Sequence, residues 1–154
     1  MRLMKLALVA TLAAAAYGVQ AQADPTLGTW KLNLAKSKYN AGQPPKSSTV
    51  VIAAAGQGIK LTSDSVLADG TARKISYTAS YDGKDAVVTG TPDYDAIALK
   101  KTASGTEGSR KKAGKVVQTY TRVVSSDGKT MTVTSTGTTA AGAKVDNVQV
   151  YDKQ

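Results

Sequence analysis

The chain has 154 residues, 20 Lys and Arg against 11 Asp and Glu, a formal net charge of +9, and neither Cys nor His. Without those two side chains it lacks a thiol nucleophile, an imidazole general base and the usual ligands of zinc or haem, so metal- and nucleophile-based enzymes are not expected. A disulfide is equally excluded, which leaves a closed hydrogen-bond network and an apolar interior to hold one domain together.

The N-terminal residues read as an export signal. Arg2 and Lys5 form a short positive region, residues 6–17 are an apolar run rich in Ala and Leu, and small residues follow as Val19-Gln20-Ala21 and Ala21-Gln22-Ala23. The run is shorter than the ~20 residues of a membrane span. The expectation is a signal peptide over residues 1–23, cleavage before Asp24, and a protein exported to the periplasm or beyond the cell. No Cys is present to carry a lipid anchor. Losing Arg2 and Lys5 lowers the formal charge by two, and the basic residues that remain are scattered along the chain, as a solubilising surface would have them.

Residues 24–154 repeat one device: an alternating segment rich in Val, Thr, Ile and Tyr, then a Gly-containing turn. Asp69-Gly70, Asp82-Gly83 and Asp127-Gly128 are strong hairpin signals, because Gly accepts the positive φ of tight hairpin turns. The pattern predicts strands over 28–34, 48–54, 59–67, 71–81, 84–89, 95–102, 106–112, 115–124, 129–137 and 143–151. The connections are too short for parallel crossovers, so neighbours pair antiparallel in an up-and-down meander. An open meander leaves two sticky edges and closure removes both, so the expected fold is an all-β barrel of about ten strands. Residues 35–46 carry Gly42, Pro44 and Pro45 and read as a loop with at most one helical turn.

Two clusters invite a chemical reading. Asp93 and Asp95 flank Tyr94 after Pro92, where Asp ordinarily caps the backbone of a turn; a weak cation site and paired acid–base work are the alternatives. Arg110-Lys111-Lys112 with Lys115 brackets the Ala113-Gly114 turn and reads as a solvated hairpin tip or a contact for an anionic surface. No aromatic side chain lies beside it to stack on bases, so nucleic acid is not an expected partner.

The strand faces carry the functional question. On 115–124 one face holds Val116, Gln118, Tyr120 and Arg122 and the other Val117, Thr119, Thr121 and Val123. On 143–151 one face holds Asn147, Gln149 and Tyr151 and the other Val148 and Val150. With the Tyr faces inward the lumen is a partly polar cavity; with the Val faces inward it is a packed core. No Phe and many small residues make solid filling of a ten-strand interior difficult, which favours a cavity.

Gly28-Thr29-Trp30-Lys31-Leu32 resembles the Gly-x-Trp opening of the first barrel strand in the calycins, the superfamily of lipocalins and fatty-acid-binding proteins. Residues 115–153 are similar to the end of a fatty-acid-binding protein, where an Arg-x-Tyr pair on the last strand grips the ligand carboxylate. Tyr151 falls at the Tyr position, Gln149 stands where that family has Arg, and Arg122 resembles its other internal Arg. The helical lid of that family has no counterpart in residues 35–46. The layout is also similar to secreted bacterial lipocalin-like proteins. The resemblance implies a barrel plugged at one end by Trp30 that binds a small hydrophobic or amphipathic molecule. Its polar contacts would come from Tyr151, Gln149, Arg122, Tyr120 and Asn147, with no cofactor and no metal. The alternative is a structural protein of the cell envelope that meets anionic polymer or lipid through basic loops, without stable membrane insertion.

Overall fold

A computed structural model describes residues 23–154. The expected signal peptide falls, apart from Ala23, outside the described residues. The strands are β1 (Gly28–Leu32), β2 (Lys38–Tyr39), β3 (Ser47–Ala55), β4 (Gly58–Val66), β5 (Ala72–Ser80) and β6 (Asp82–Thr89). They continue as β7 (Ala96–Lys101), β8 (Gly105–Lys112), β9 (Lys115–Val124), β10 (Thr130–Thr138) and β11 (Lys144–Lys153). No α-helix occurs among the described residues; one 3-10 turn spans Leu34–Lys36.

Every strand pairing is antiparallel, and β1 closes the sheet by pairing with both β3 and β11. The closing seam sets Trp30 opposite Lys153 and Leu32 opposite Tyr151. The fold is therefore a closed barrel of ten strands in sequence order, with β2 as an eleventh, short addition. The ten expected strands are all present, with ends displaced by a residue or two.

Alternation drives the closure. Met131, Val133 and Ser135 of β10 are buried, while the threonines between them face outward. Ile75, Tyr77 and Ala79 of β5 face the interior in the same way. Hairpin tips use left-handed backbone where they turn tightest: Gly128 has φ 72°, and the Ala113-Gly114 tip between β8 and β9 has φ 49° and 77°. Ala113 is the one non-Gly residue with positive φ among the described residues.

Residues 33–46 depart from a plain loop. Asn33 accepts a bond from the Lys36 N–H and caps the 3-10 turn. Ser37 then donates its hydroxyl to the Asn33 carbonyl and accepts the Val150 N–H at 2.9 Å. These bonds return the chain to β11, where Lys38 and Tyr39 pair with Val148 and Asn147. A strand of two residues has no period to read, which is why β2 is silent in the sequence. β1 also stops at Leu32, two residues short of the expectation, because the turn begins there.

The interior divides in two. At the end that Trp30 and Lys153 share, Trp30, Ile52, Ile59, Ala79, Leu99, Val124 and Met131 pack into a solid apolar core. The other end is not filled.

Candidate functional site

The solid end is sealed by Trp30 and the turn preceding β1. The Trp30 ring is fully buried, its Nε1–H donates to the Thr26 carbonyl at 2.8 Å, and Lys153 Nζ lies 5.1 Å from the ring centroid. Asp24 anchors the turn, accepting bonds from the Thr26 N–H, the Thr26 hydroxyl and the Tyr81 hydroxyl. Burial would push the Asp24 carboxyl up, but these bonds outweigh it and hold the group below its ordinary range. The plug is thus one indole braced by a turn and a phenol.

Above the core lies a cavity of about 500 Å³, open toward Gln43 and Pro45 and the β4–β5 turn at Leu67, Ala68 and Asp69. That volume lies within the ~300–1,000 Å³ of small-molecule sites. Its apolar wall comes from Val50, Leu61, Ile75, Met131 and Val133. Its polar wall comes from Tyr77, Arg110, Arg122, Gln149 and Tyr151, with Ser48, Ser63 and Ser65 linked by hydroxyl contacts on β3 and β4.

The cations in this wall are held by neutral groups. Arg122 is buried, donating from Nη2 to the Tyr77 hydroxyl at 3.1 Å and from Nη1 to the Thr106 hydroxyl at 3.4 Å. Arg110 donates from Nη1 to the Gln118 side-chain carbonyl at 2.8 Å and to the Ser135 hydroxyl at 3.3 Å. The Tyr120 ring lies against both guanidiniums, its centroid 4.7 Å from Arg110 and 5.7 Å from Arg122, and Tyr94 lies 5.1 Å from Arg110. Such contacts stabilise a guanidinium without neutralising it. The Nε atoms of both arginines are buried without a hydrogen-bond partner. The one carboxylate among the lining residues is Asp69, in the turn at the mouth; Arg73 at the same rim pairs with Asp93 at 3.6 Å.

Burial pushes the Tyr151 hydroxyl up to about 12, and burial, with Tyr77 nearby, raises Tyr120 further. Both phenols are neutral at ordinary pH.

The Tyr faces of β9 and β11 turn inward. Gln149, Tyr151 and Arg122 line the cavity, and Gln149 Nε2–H donates to the Tyr39 hydroxyl at 3.0 Å. Tyr120 is inward and buried but stands behind the cavity wall, stacked between the arginines. Asn147 shares the inner face opposite Ser135, with its side-chain carbonyl oxygen buried and unpartnered, and does not reach the cavity. Val116, placed on the Tyr face by alternation, is exposed instead, because the β8–β9 register shifts between Arg110 and Lys111.

Sequence reasoning missed Arg110, Tyr94 and Tyr77 as lining residues. Arg110 belongs to the basic cluster expected at a solvated tip, yet it pairs with Ile97 and Gln118 on the inner face. The inner positions of β8 are Thr106, Gly108 and Arg110, which give no apolar alternation to mark a face. The rest of that cluster does face outward, with Lys111 2.8 Å from Asp85 and Lys112 3.9 Å from Asp95. Asp93 and Asp95 act in turns: Asp93 accepts the Ala140 N–H and Asp95 the Ala113 N–H.

No family model matches the chain, and no curated protein matches it. Among solved structures it is similar to zebrafish ileal bile acid-binding protein in complex with cholic acid. The identity is 12%, the TM-score 0.47, and the match covers 85% of this chain and 100% of that one.

Proposed function

We propose that the protein is an exported carrier that holds an amphipathic small molecule with an acidic head group in the barrel lumen, and that it is a binder, not an enzyme. One observation carries this reading: a cavity of about 500 Å³ pairs an apolar wall with two internal guanidiniums that face no carboxylate of their own. Burying a cation costs free energy unless an opposite charge meets it, and the described residues supply only neutral acceptors at that depth. An acidic head would meet Arg110 and Arg122 while its tail displaces water from Val50, Leu61, Ile75 and Met131. Tyr151 and Gln149 are placed to donate hydrogen bonds to the same head.

Export is supported by the signal-like residues 1–23. The envelope-contact alternative draws less support, since Lys36, Lys111, Lys112 and Lys144 each lie beside an aspartate.

The test is displacement of an environment-sensitive dye from the purified protein by decanoate, with Val133→Trp as a variant that fills the lumen. Saturable displacement from the wild type and none from the variant is expected. Failure of the wild type to bind the dye, decanoate or any other acidic amphiphile of the same tail would remove the carrier reading.

A further inference from the structure

The wall of the cavity contains more positive charge than a single carboxylate can balance. Arg110 and Arg122 flank one tyrosine ring, so their separation cannot exceed the sum of their distances to its centroid. Each guanidinium has five N–H donors in a planar fork and is not deprotonated in proteins. The acceptors they meet are an amide, a phenol and two aliphatic hydroxyls, all uncharged, and both Nε–H groups remain unused. Gln149 adds an amide rather than an anion.

The phenols cannot supply the missing charge, because those of Tyr120 and Tyr151 are held protonated by burial. The interior therefore carries two fixed positive charges with room beside them, and both are directional donors suited to tetrahedral oxyanions.

Resting on the carrier reading above, we propose that the head group is a phosphate monoester, a dianion at neutral pH, borne on an apolar chain. A carboxylate or a sulfate monoester would bring one negative charge and leave one guanidinium unbalanced. A phosphate monoester brings nearly two at pH 7 and three acceptor oxygens.

This choice has a pH signature. The chain has no His, the side chain whose ordinary pKa brings a charge change between about pH 5 and 8. The ionisable groups facing the arginines are phenols: Tyr77 against Arg122, Tyr94 against Arg110, and Tyr120 against both. Tyr151 shares the wall, and Asp69 and the Arg73–Asp93 pair stand at the mouth. Between about pH 5.5 and 7.5 the group that changes charge is thus the phosphate itself, whose second pKa lies near 6.

Decyl phosphate, decyl sulfate, decanoate and decanol share one tail and separate the cases. Their affinities for the full chain are measured by calorimetry from pH 5.5 to 7.5. Decyl phosphate is expected to bind about tenfold tighter at the upper pH, while decyl sulfate and decanoate stay flat and weaker. Arg110→Gln is expected to lower phosphate affinity about tenfold and flatten its pH profile, and Arg110→Lys to restore part of both. Decanoate or decyl sulfate binding as tightly as decyl phosphate at pH 7.5, or a flat phosphate profile, would overturn the dianion inference and leave the carrier reading standing. Failure of all four ligands to bind would overturn both. The wild-type pH profile decides even if the variants do not fold.

Discussion

Arg122 on β9 donates to the Tyr77 hydroxyl on β5 across 3.1 Å of barrel interior, joining two strands that are not neighbours in the sheet. The bond turns a buried guanidinium toward the cavity and gives it a neutral partner in place of a carboxylate. On the carrier reading, this arrangement trades stability for binding.

Replacing Arg122 with Met tests that balance. A buried charge exchanged for an apolar side chain of similar length is often neutral or stabilising, by up to a few kcal/mol. Arg122→Met is expected to raise the urea midpoint or leave it unchanged, and to weaken acidic amphiphiles at least tenfold. A clear loss of stability together with retained binding would show that the guanidinium serves the fold and not the ligand.

The Asp24 turn sets an acid limit on stability. The folded-state pKa lies below the ordinary value, so the unfolded chain binds the proton more readily. The contribution is therefore complete above the unfolded pKa and is lost as pH falls through the folded one, below about pH 4. Stability curves between pH 2 and 6 are expected to steepen in this window for the wild type. Tyr81→Phe, which removes one of the bonds to the carboxylate, should flatten them. An unchanged slope in the variant would exclude Tyr81 as the cause.

The β8–β9 tip offers a stabilising change. Ala113 adopts φ 49° before Gly114, and residues other than Gly, Asn and Asp pay roughly 1–2 kcal/mol for that region. Ala113→Asn is expected to raise stability by about 0.5–1 kcal/mol, read as a higher melting temperature with ligand binding unaltered. A lower melting temperature would mean that the Asn side chain disturbs the bond from the Ala113 N–H to Asp95.

Gly108 is where the cation–aromatic stack needs space. A Cβ there would stand 2.2 Å from the Ala98 carbonyl oxygen and 3.0 Å from the Tyr120 ring. Gly108→Ala must therefore shift β7 or displace Tyr120 from between the arginines. The expected result is a loss of about 1–3 kcal/mol in urea unfolding with weaker binding of acidic ligands, as overpacking usually costs. Wild-type stability in this variant would show that the strands yield more easily than the geometry implies.

Legibility followed periodicity. Met131 and Val133 announce their inward face because threonines separate them, and the same alternation turns Tyr120, Arg122, Gln149 and Tyr151 inward once the faces of neighbouring strands must agree. Arg110 is hidden because β8 has Thr106 and Gly108 where other strands have apolar side chains, so nothing local distinguishes its two faces. Tyr94 lies in a turn and enters the lumen only through the path of the loop.

From its sequence alone the chain determines a run of antiparallel hairpins, their turn positions, the first-strand Trp30, and the absence of thiol and imidazole chemistry. These are local properties, set by side-chain alternation, by glycine at left-handed backbone and by which functional groups exist at all. Tertiary structure alone decides that one half of the barrel is solid and the other hollow, and that Arg110 and Arg122 share the hollow half around Tyr120. A void is the difference between the volume ten strands enclose and the volume their inward side chains fill, and a pair of facing charges depends on register around the barrel. Both are sums over residues far apart in the chain, which no local pattern encodes.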